Sequence, residues 1–506
     1  MTFRTDWLDR VALYHPDRTA LVWEPSGTAY TYAQCDALAE RLAAGLAHAY
    51  GIAPGDRVAI LAENTVEHVL LLFAAQRAGF VLVPLNFRLA TPELDYIASD
   101  ADPALLVYSD AYADTVAQLS TAARRLPLDG EGESLAALLA EGATDAPAPR
   151  VRRDADDPLM LLYTSGTTGR PKGAIISHGM VAWNAANTAL RLDLTTADIS
   201  FNAAPFYHTG GWNVLLTPFL QRGATTVLLD RFDPDRLLRL CDDAGVTILW
   251  GVPTMLQMMA QSPEFDTTTL DTVRYAIVGG EPMPAPLIRT WQAKGVPIRQ
   301  GFGMTEVGVN CFSLPERDAL RKIGSIGFPN FYVDTRVVDD DGQDVPPGEP
   351  GELLMRGPVV TPGYWRNPIA TAKAIRDGWF HSGDLVRVDD EGYVYVVGRK
   401  KDMYISGGEN VYPAEVEAVL VEHEAVAEAA VVGVPDAKWG EVGMAFLVPA
   451  DPAAPPDAEA LIAFARARLA RFKVPAYIRV VDALPKGHSG KVLKRDLQAQ
   501  ATEEAP

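Results

Sequence analysis

Sulfur, long apolar runs and positive charge are all scarce in this chain of 506 residues. Its three cysteines, Cys35, Cys241 and Cys311, are too few and too scattered for a disulfide framework or a zinc site. A reducing, cytoplasmic compartment is expected, with each thiol a small buried hydrophobe. A membrane-spanning helix needs about eighteen or more uncharged apolar residues. The nearest approach, around Val69 to Leu85, is broken by Gln76 and Arg77, so no transmembrane segment is expected. Met1 to Arg10 lacks a signal-peptide apolar region, and no leader is expected. Lys+Arg 45 against Asp+Glu 65 gives a net charge of −20. That balance argues against a nucleic-acid or anionic-membrane partner, and it makes a lysine placed in a cleft stand out.

Composition is otherwise globular, with 48% hydrophobic and 22% charged residues. The length calls for about two to four domains. Strands alternate with helices at the start: Val58–Leu61, a helix over 66–78, Val81–Pro84, and a further unit from Thr91 to Val107. The pattern returns as helix 178–191, strand 199–203, helix 210–221, strand 225–229, helix 233–243 and strand 247–251. Strands at Tyr275–Val278 and Pro297–Arg299 follow. Alternation of this kind predicts a mostly parallel α/β sheet system. From about 323 short strands with Asp-Gly and Pro-Gly turns predict a small β subdomain. The last hundred or so residues read as an α+β unit, with a helix over 413–422 and strands at 425–434, 442–448 and 476–481.

The densest chemical signal is Tyr163-Thr-Ser-Gly-Thr-Thr-Gly-Arg-Pro-Lys-Gly173, following the apolar run Leu159–Leu162. That run predicts a buried strand whose end carries the loop. Gly166, Gly169 and Gly173 permit close backbone approach; Thr164, Ser165, Thr167 and Thr168 supply hydroxyls; Lys172 supplies a mobile cation. The set suits a polyphosphate. It is not the G-x-x-x-x-G-K-[ST] loop, because Pro171 stands where the second glycine belongs.

Other runs are weaker taken singly. In Gln300-Gly-Phe-Gly-Met-Thr-Glu306, Phe302 between two glycines suits a nucleobase, Thr305 a phosphate oxygen and Glu306 a Mg²⁺ ion. A strand–turn–helix junction capped by Thr305 is the plainer reading. Gly279-Gly280-Glu281 after a strand suits a flat ligand. Asp384 in Ser382-Gly-Asp384 suits a ribose diol. Ser406–Pro413 predicts a loop that caps a helix starting at Pro413, and Lys491 sits on a glycine-bearing loop. His208 has no second ligand at metal spacing, and no G-x-S-x-G elbow occurs. Trp212, beside Gly210-Gly211, is either an acyl-pocket wall or a core side chain.

In this order and spacing the motifs Tyr163–Gly173, Gly279–Pro282, Gln300–Glu306, Ser382–Asp384, Gly398-Arg399, Ser406–Pro413 and Lys491 resemble the adenylate-forming superfamily over essentially the whole chain. Ile405–Glu417 and Pro435–Glu441 look most like bacterial acyl-CoA ligases. The resemblance implies an α/β fold: a large N-terminal domain of α/β layers with a β subdomain, 1–400, and a small mobile α+β C-terminal domain, 401–506. It implies an ATP-dependent carboxylate–CoA ligase using Mg²⁺ and coenzyme A. A fatty or aromatic acid first forms an acyl-adenylate with release of pyrophosphate, and CoA then displaces AMP.

Carried over residue by residue, Thr164, Ser165, Gly166, Thr167, Thr168, Gly169 and Lys172 cradle the leaving pyrophosphate. Gly280, Glu281 and Phe302 face adenine, with Gln300, Gly301 and Gly303 in the same nucleotide-binding run. Asp384 and Arg399 hold the ribose, Thr305 touches the α-phosphate, and Glu306 is the metal ligand. Lys491 bridges the attacking carboxylate and the phosphate. Lys401 is the hinge, rotation about which brings Gly407, Gly408 and Asn410 to the site. His208 gates the acyl pocket toward the thiol tunnel, and 307–312 lines that pocket. The expected partner is a small-molecule carboxylic acid; a homodimer is compatible with the resemblance. A second reading shares the first half-reaction but loads a carrier protein or activates an oxyanion such as nitrite.

Overall fold

In the computed structural model, residues 2–3, 6–130, 132–140, 146–164, 170–487 and 492–504 are described. Two compact units emerge, Met1–Thr335 with Met355–Phe380, and Arg336–Leu354 with His381–Pro506. The segments 336–354 and 381–400, expected with the N-terminal domain, thus group with the C-terminal residues. Within that second unit the helix Pro413–Val421 packs on the strand Val394–Arg399.

The first unit contains runs rich in Val, Leu and Ile that are apolar on both faces, the signature of parallel strands covered on both sides. Arg57–Leu61, Val81–Pro84 and Leu105–Tyr108 are almost entirely buried. They lie in a six-stranded sheet ordered Lys172–Ser177, Pro158–Thr164, Val81–Pro84, Arg57–Leu61, Leu105–Tyr108, Arg124–Pro127. Every neighbouring pair is parallel except the first. The helix Val66–Ala78 and the strand Val81–Pro84 have the predicted bounds. The helix is buried all round and ends on left-handed Gly79.

A second sheet pairs Ile199–Asn202, Thr225–Leu228 and Thr19–Trp23 in parallel, with Thr28–Thr31 antiparallel at its edge. Tyr30 and Thr31 close this hairpin. Thr31 then caps the helix Tyr32–Ala49, its hydroxyl accepting from the Gln34 N–H while the Gln34 side chain accepts from the Thr31 N–H. The predicted helix 210–221 is two helices, Thr209–Asn213 and Leu216–Arg222. Trp212 is fully buried, its ring 4.3 Å from Phe206, so it belongs to the core.

A third group, Ile248–Gly251, Tyr275–Val278 and Ile298–Met304, is parallel, and all three strands end at the same edge. From there the chain turns back antiparallel through Gly308–Ser313 and Ser325–Pro329. The expected strand at 297–299 is therefore longer, and a β-hairpin replaces the strand–turn–helix junction.

In the second unit, Trp379–Val388 and Val394–Arg399 are antiparallel, with Asp384 opposite Arg399. A five-stranded sheet follows, in which Gly440–Pro449 pairs with Tyr404–Ser406, with Val426–Asp436 and, in parallel, with Tyr477–Val480. The hairpin Tyr404–Ser406 to Glu409–Val411 occupies what was expected to be a loop. All three cysteines are buried and unpaired, and no described helix is long and apolar enough to cross a membrane.

The first unit also buries one full charge. Arg77 is wholly enclosed, pairing with Asp6 at 2.8 Å, with Glu40 at 3.1 Å and with Asp36. Arg150 also pairs with Asp6 at 2.7 Å and with Glu40 at 2.8 Å, so loss of Arg77 leaves these carboxylates partly compensated, at a cost of about 1–3 kcal/mol. Arg77→Ala should therefore lower the unfolding free energy of the first unit, read from urea denaturation, by about that amount. A change worth less than about 1 kcal/mol would show the cluster to be no stronger than surface pairs.

Candidate active site

The run expected to bind phosphate joins two antiparallel strands. Thr164 ends one strand, Lys172 opens its antiparallel partner, and the two residues are directly opposite. A hairpin tip differs from the strand-to-helix geometry of the common phosphate loop, which agrees with the displaced glycine. Ser165, Gly166, Thr167, Thr168 and Gly169 lie outside the described residues. The hairpin's flank is held by the Tyr163 hydroxyl, which donates to Asp100 Oδ2 at 2.6 Å. Burial and then Asp100 push that phenol's pKa up, so it stays a donor.

Next to this tip stand Glu306 and Tyr364. The Tyr364 hydroxyl donates to Glu306 Oε1 at 3.0 Å. Lys172 Nζ lies 5.5 Å from the centroid of the same ring, within cation–π range. Burial and the Glu306 carboxylate both raise the phenol's pKa. Tyr364 was not a sequence candidate. Its only signal is an aromatic pair, Tyr364-Trp365, after Pro362-Gly363, too common a pattern to single out.

The run expected to face the nucleotide begins where the parallel pairing ends, the usual place for a ligand in α/β sheets. Val278 is in register with Gln300; Gly279-Gly280 follow the end of their strand, while Gly301 continues in its strand and pairs with Ser313. Gly280 has a φ of 86°, a conformation natural only to glycine. Gly280 and Glu281 are exposed. Gln300, expected at the nucleotide, has its amide occupied by the protein. Nε2 donates to the Glu281 carbonyl at 3.0 Å and Oε1 accepts from the Met283 N–H at 3.1 Å. Its observed work is to shape the 281–283 loop.

Phe302 is half-buried and edge-on to Phe312 at 5.7 Å. Thr305, half-buried, lies in the turn between Ile298–Met304 and Gly308–Ser313 rather than at a helix cap. The close approach of those strands explains Gly303, where a Cβ would fall 2.4 Å from the Gly308 carbonyl oxygen.

His208 is exposed and precedes the helix Thr209–Asn213. Its Nδ1 accepts from the Gly210 N–H at 3.1 Å, which makes Nδ1 the unprotonated nitrogen and leaves the proton to Nε2. The Trp250 ring, another residue the sequence did not flag, stands 3.4 Å from a Cβ position at Gly210.

In the second unit, Arg399 Nε meets Asp384 Oδ1 at 2.5 Å, so the two expected ribose ligands are paired. Asp384 is buried, its N–H donating to Ser382 Oγ at 3.0 Å. Gly407 and Gly408 form the hairpin turn, with φ of 62° and 89°. A Cβ on Gly407 would lie 2.8 Å from Trp439. Asn410 and Lys401 are exposed, while neighbouring Lys400 is held by Asp340 at 2.7 Å and Glu352 at 3.3 Å. Lys491 lies outside the described residues; next to it, the Leu493 N–H donates to the Pro485 carbonyl at 2.8 Å and Val492 bridges to Lys486.

Within the first unit, then, a cation, a carboxylate and a glycine-lined sheet edge are available to a phosphorylated, magnesium-bound nucleotide. Gly303→Ala tests the hairpin's part. Overpacking against backbone should cost about 1–3 kcal/mol, and ATP-dependent turnover should fall with it. Wild-type melting and turnover in that variant would contradict the geometry.

The chain is similar to known proteins along nearly its whole length. Residues 8–365 match the model of the AMP-binding enzyme family, and 415–491 match the AMP-binding enzyme C-terminal domain. A feruloyl-CoA synthase of Amycolatopsis sp is 44% identical, covering 97% of this chain and 98% of that protein. An indoleacetate–CoA ligase of Aromatoleum aromaticum is 40% identical, covering 98% and 97%. The solved structure of o-succinylbenzoate coenzyme A synthetase from Bacillus subtilis, in complex with ATP and magnesium ion, is 33% identical. It superposes with a TM-score of 0.85, covering 97% of this chain and 99% of that one. The chain belongs to the AMP-binding enzyme family, and within that adenylate-forming superfamily it is an ATP-dependent, AMP-forming acid–CoA ligase.

Proposed function

We propose that the acid is aromatic, a planar arylpropenoic or arylacetic acid, and that the sequence-derived site residues act on it as follows. The observation that carries the mechanistic reading is the pair of opposite charges, Lys172 and Glu306, held on one tyrosine at the mouth of the phosphate hairpin. Lys172 binds the outer phosphates, with Thr164 to Gly169 as its companions. Glu306 is a hard oxygen donor suited to Mg²⁺, and the phosphates complete the shell, since the described residues hold no cluster of three or more His, Cys, Asp or Glu. When bound, the ion neutralises phosphate charge.

Adenine lies against Gly280, Glu281 and Phe302, with Gln300, Gly301 and Gly303 shaping that wall. The ribose meets Asp384 and Arg399, and Thr305 donates to the α-phosphate. A carboxylate oxygen attacks the α-phosphorus and the bond to the β-phosphate oxygen breaks, releasing pyrophosphate. Lys491 bridges the attacking carboxylate and the α-phosphate oxygens. The C-terminal domain, from Lys401 onward, then turns to bring Gly407, Gly408 and Asn410 forward. The CoA thiolate attacks the acyl carbon, the acyl carbon–oxygen bond breaks, and AMP leaves. His208 gates the thiol's approach.

Two features support an aromatic acid. The 44% and 40% identical relatives bear the names of aromatic acids along nearly the whole chain. In the segment 307–312, the Asn310 amide is already engaged by Thr188 Oγ1 at 2.6 Å and the Val214 carbonyl at 3.1 Å. That leaves small or apolar surface, as at Gly308 and Val309, for the substrate. The buried, unpaired cysteines are compatible with a cytoplasmic enzyme.

Pyrophosphate release from MgATP, measured across cinnamic, arylacetic, benzoic and fatty acids and nitrite with and without CoA, tests the reading. Release with an aryl acid, and a thioester once CoA is present, is expected. Release only with a fatty acid would move the substrate; release with nitrite alone would replace the reading. Lys491→Ala should lower adenylation by about 10²–10³-fold or more. The same variant should still convert supplied acyl-AMP and CoA to thioester; equal loss of both steps would contradict the role of Lys491.

A further inference from the structure

The strip Thr361-Pro-Gly-Tyr-Trp365 matches none of the motifs considered above, yet it binds both sides of the phosphate site. Along one side it follows the strand Lys172–Ser177. The Trp365 N–H donates to the Gly173 carbonyl at 2.8 Å, the Ile175 N–H to the Gly363 carbonyl at 3.0 Å, and Thr361 Oγ1 to the Ile175 carbonyl at 2.7 Å. On the other side the Thr361 N–H donates to the Glu306 carbonyl at 2.7 Å. Tyr364 is thus fixed by backbone hydrogen bonds before its side chain makes any contact. Its ring meets the Lys172 ammonium at 5.5 Å and its hydroxyl meets the Glu306 carboxylate at 3.0 Å.

One side chain thus contacts two groups of opposite charge, an ammonium on its ring and a carboxylate on its hydroxyl. Among the described residues Lys172 and Glu306 form no ion pair with each other; the tyrosine contacts both. Its aromatic face attracts the cation and its hydroxyl satisfies the anion, so each charge is stabilised without neutralising the other.

We propose that Tyr364 is a positioning residue that keeps Lys172 and Glu306 apart and aimed, the first at phosphate oxygens and the second at Mg²⁺. The proposal rests on the nucleotide reading given above. The tyrosine touches neither nucleotide nor acid in this role; it acts through the two groups it spaces.

Two variants separate the halves of the device. Tyr364→Phe keeps the ring and removes the hydroxyl; Tyr364→Leu removes both. The readout is calorimetric binding of MgATP and of ATP in EDTA, with melting temperature recorded alongside. For Tyr364→Phe, MgATP binding should weaken by about 10–150-fold, the range for losing a hydrogen bond to a charged group. Binding of metal-free ATP should be unchanged, and excess Mg²⁺ should restore pyrophosphate release. For Tyr364→Leu, metal-free ATP should also bind more weakly, because Lys172 loses its platform. Tyr364→Phe binding both forms like wild type would overturn the proposal. So would equal weakening of both forms with a lowered melting temperature, the mark of a purely structural strap. Failure of the underlying nucleotide reading is distinguishable: wild type itself would then bind MgATP no better than ATP in EDTA.

Discussion

Repulsion between a carboxylate and a polyphosphate is the constraint that organises this protein. The reaction joins two anions, and a carboxylate is a poor nucleophile, so the protein must supply positive charge at fixed points while holding the approach in line. In a chain with a net charge of −20 those points have to be built locally. The structure shows how one is built. A hairpin presents Lys172, a second hairpin presents Glu306, and a backbone-anchored tyrosine contacts both.

The rest of the first unit serves that geometry. Parallel pairing of three strands ends level with Val278 and Gln300, Gly279 and Gly280 follow at that edge, and the buried Gln300 amide fixes the loop beside it. Gly303 lets the returning strand come close enough to place Thr305 and Glu306 in a tight turn. In the second unit, Asp384 is placed by cross-strand register opposite Arg399, and the two glycines at 407 and 408 make a turn that only such residues form readily. Fixed backbone, rather than long flexible side chains, sets most of these positions.

Much of this was legible from residue order because the signals were local. The helix Val66–Ala78 and the strand Val81–Pro84 follow from apolar runs on either side of Gly79, which ends the helix. Thr164 and Lys172 stood out through composition and spacing, whereas Glu306 was a weak signal until the order of the motifs carried the family resemblance. What escaped depended on pairing across the fold. Gln300-Gly-Phe-Gly reads as a turn because glycine weakens strands, yet the glycine at 303 is demanded by its partner strand at 2.4 Å. Tyr364 gave no signal because its role comes from contacts with residues about sixty and nearly two hundred positions away. Trp212 allowed two readings until burial placed it in the core. The grouping of 381–400 with the C-terminal residues likewise rests on a helix packing against a strand, which no linear pattern announces.

The account's central claim is that a carboxylate oxygen is transferred to the α-phosphate of ATP before the thiol arrives. Turnover of an acid labelled with ¹⁸O in its carboxylate, followed by mass spectrometry of the nucleotide product, reads that bond directly. One labelled oxygen in AMP for each thioester formed is the predicted result. Unlabelled AMP, or label in an inorganic phosphate product, would contradict the adenylate route.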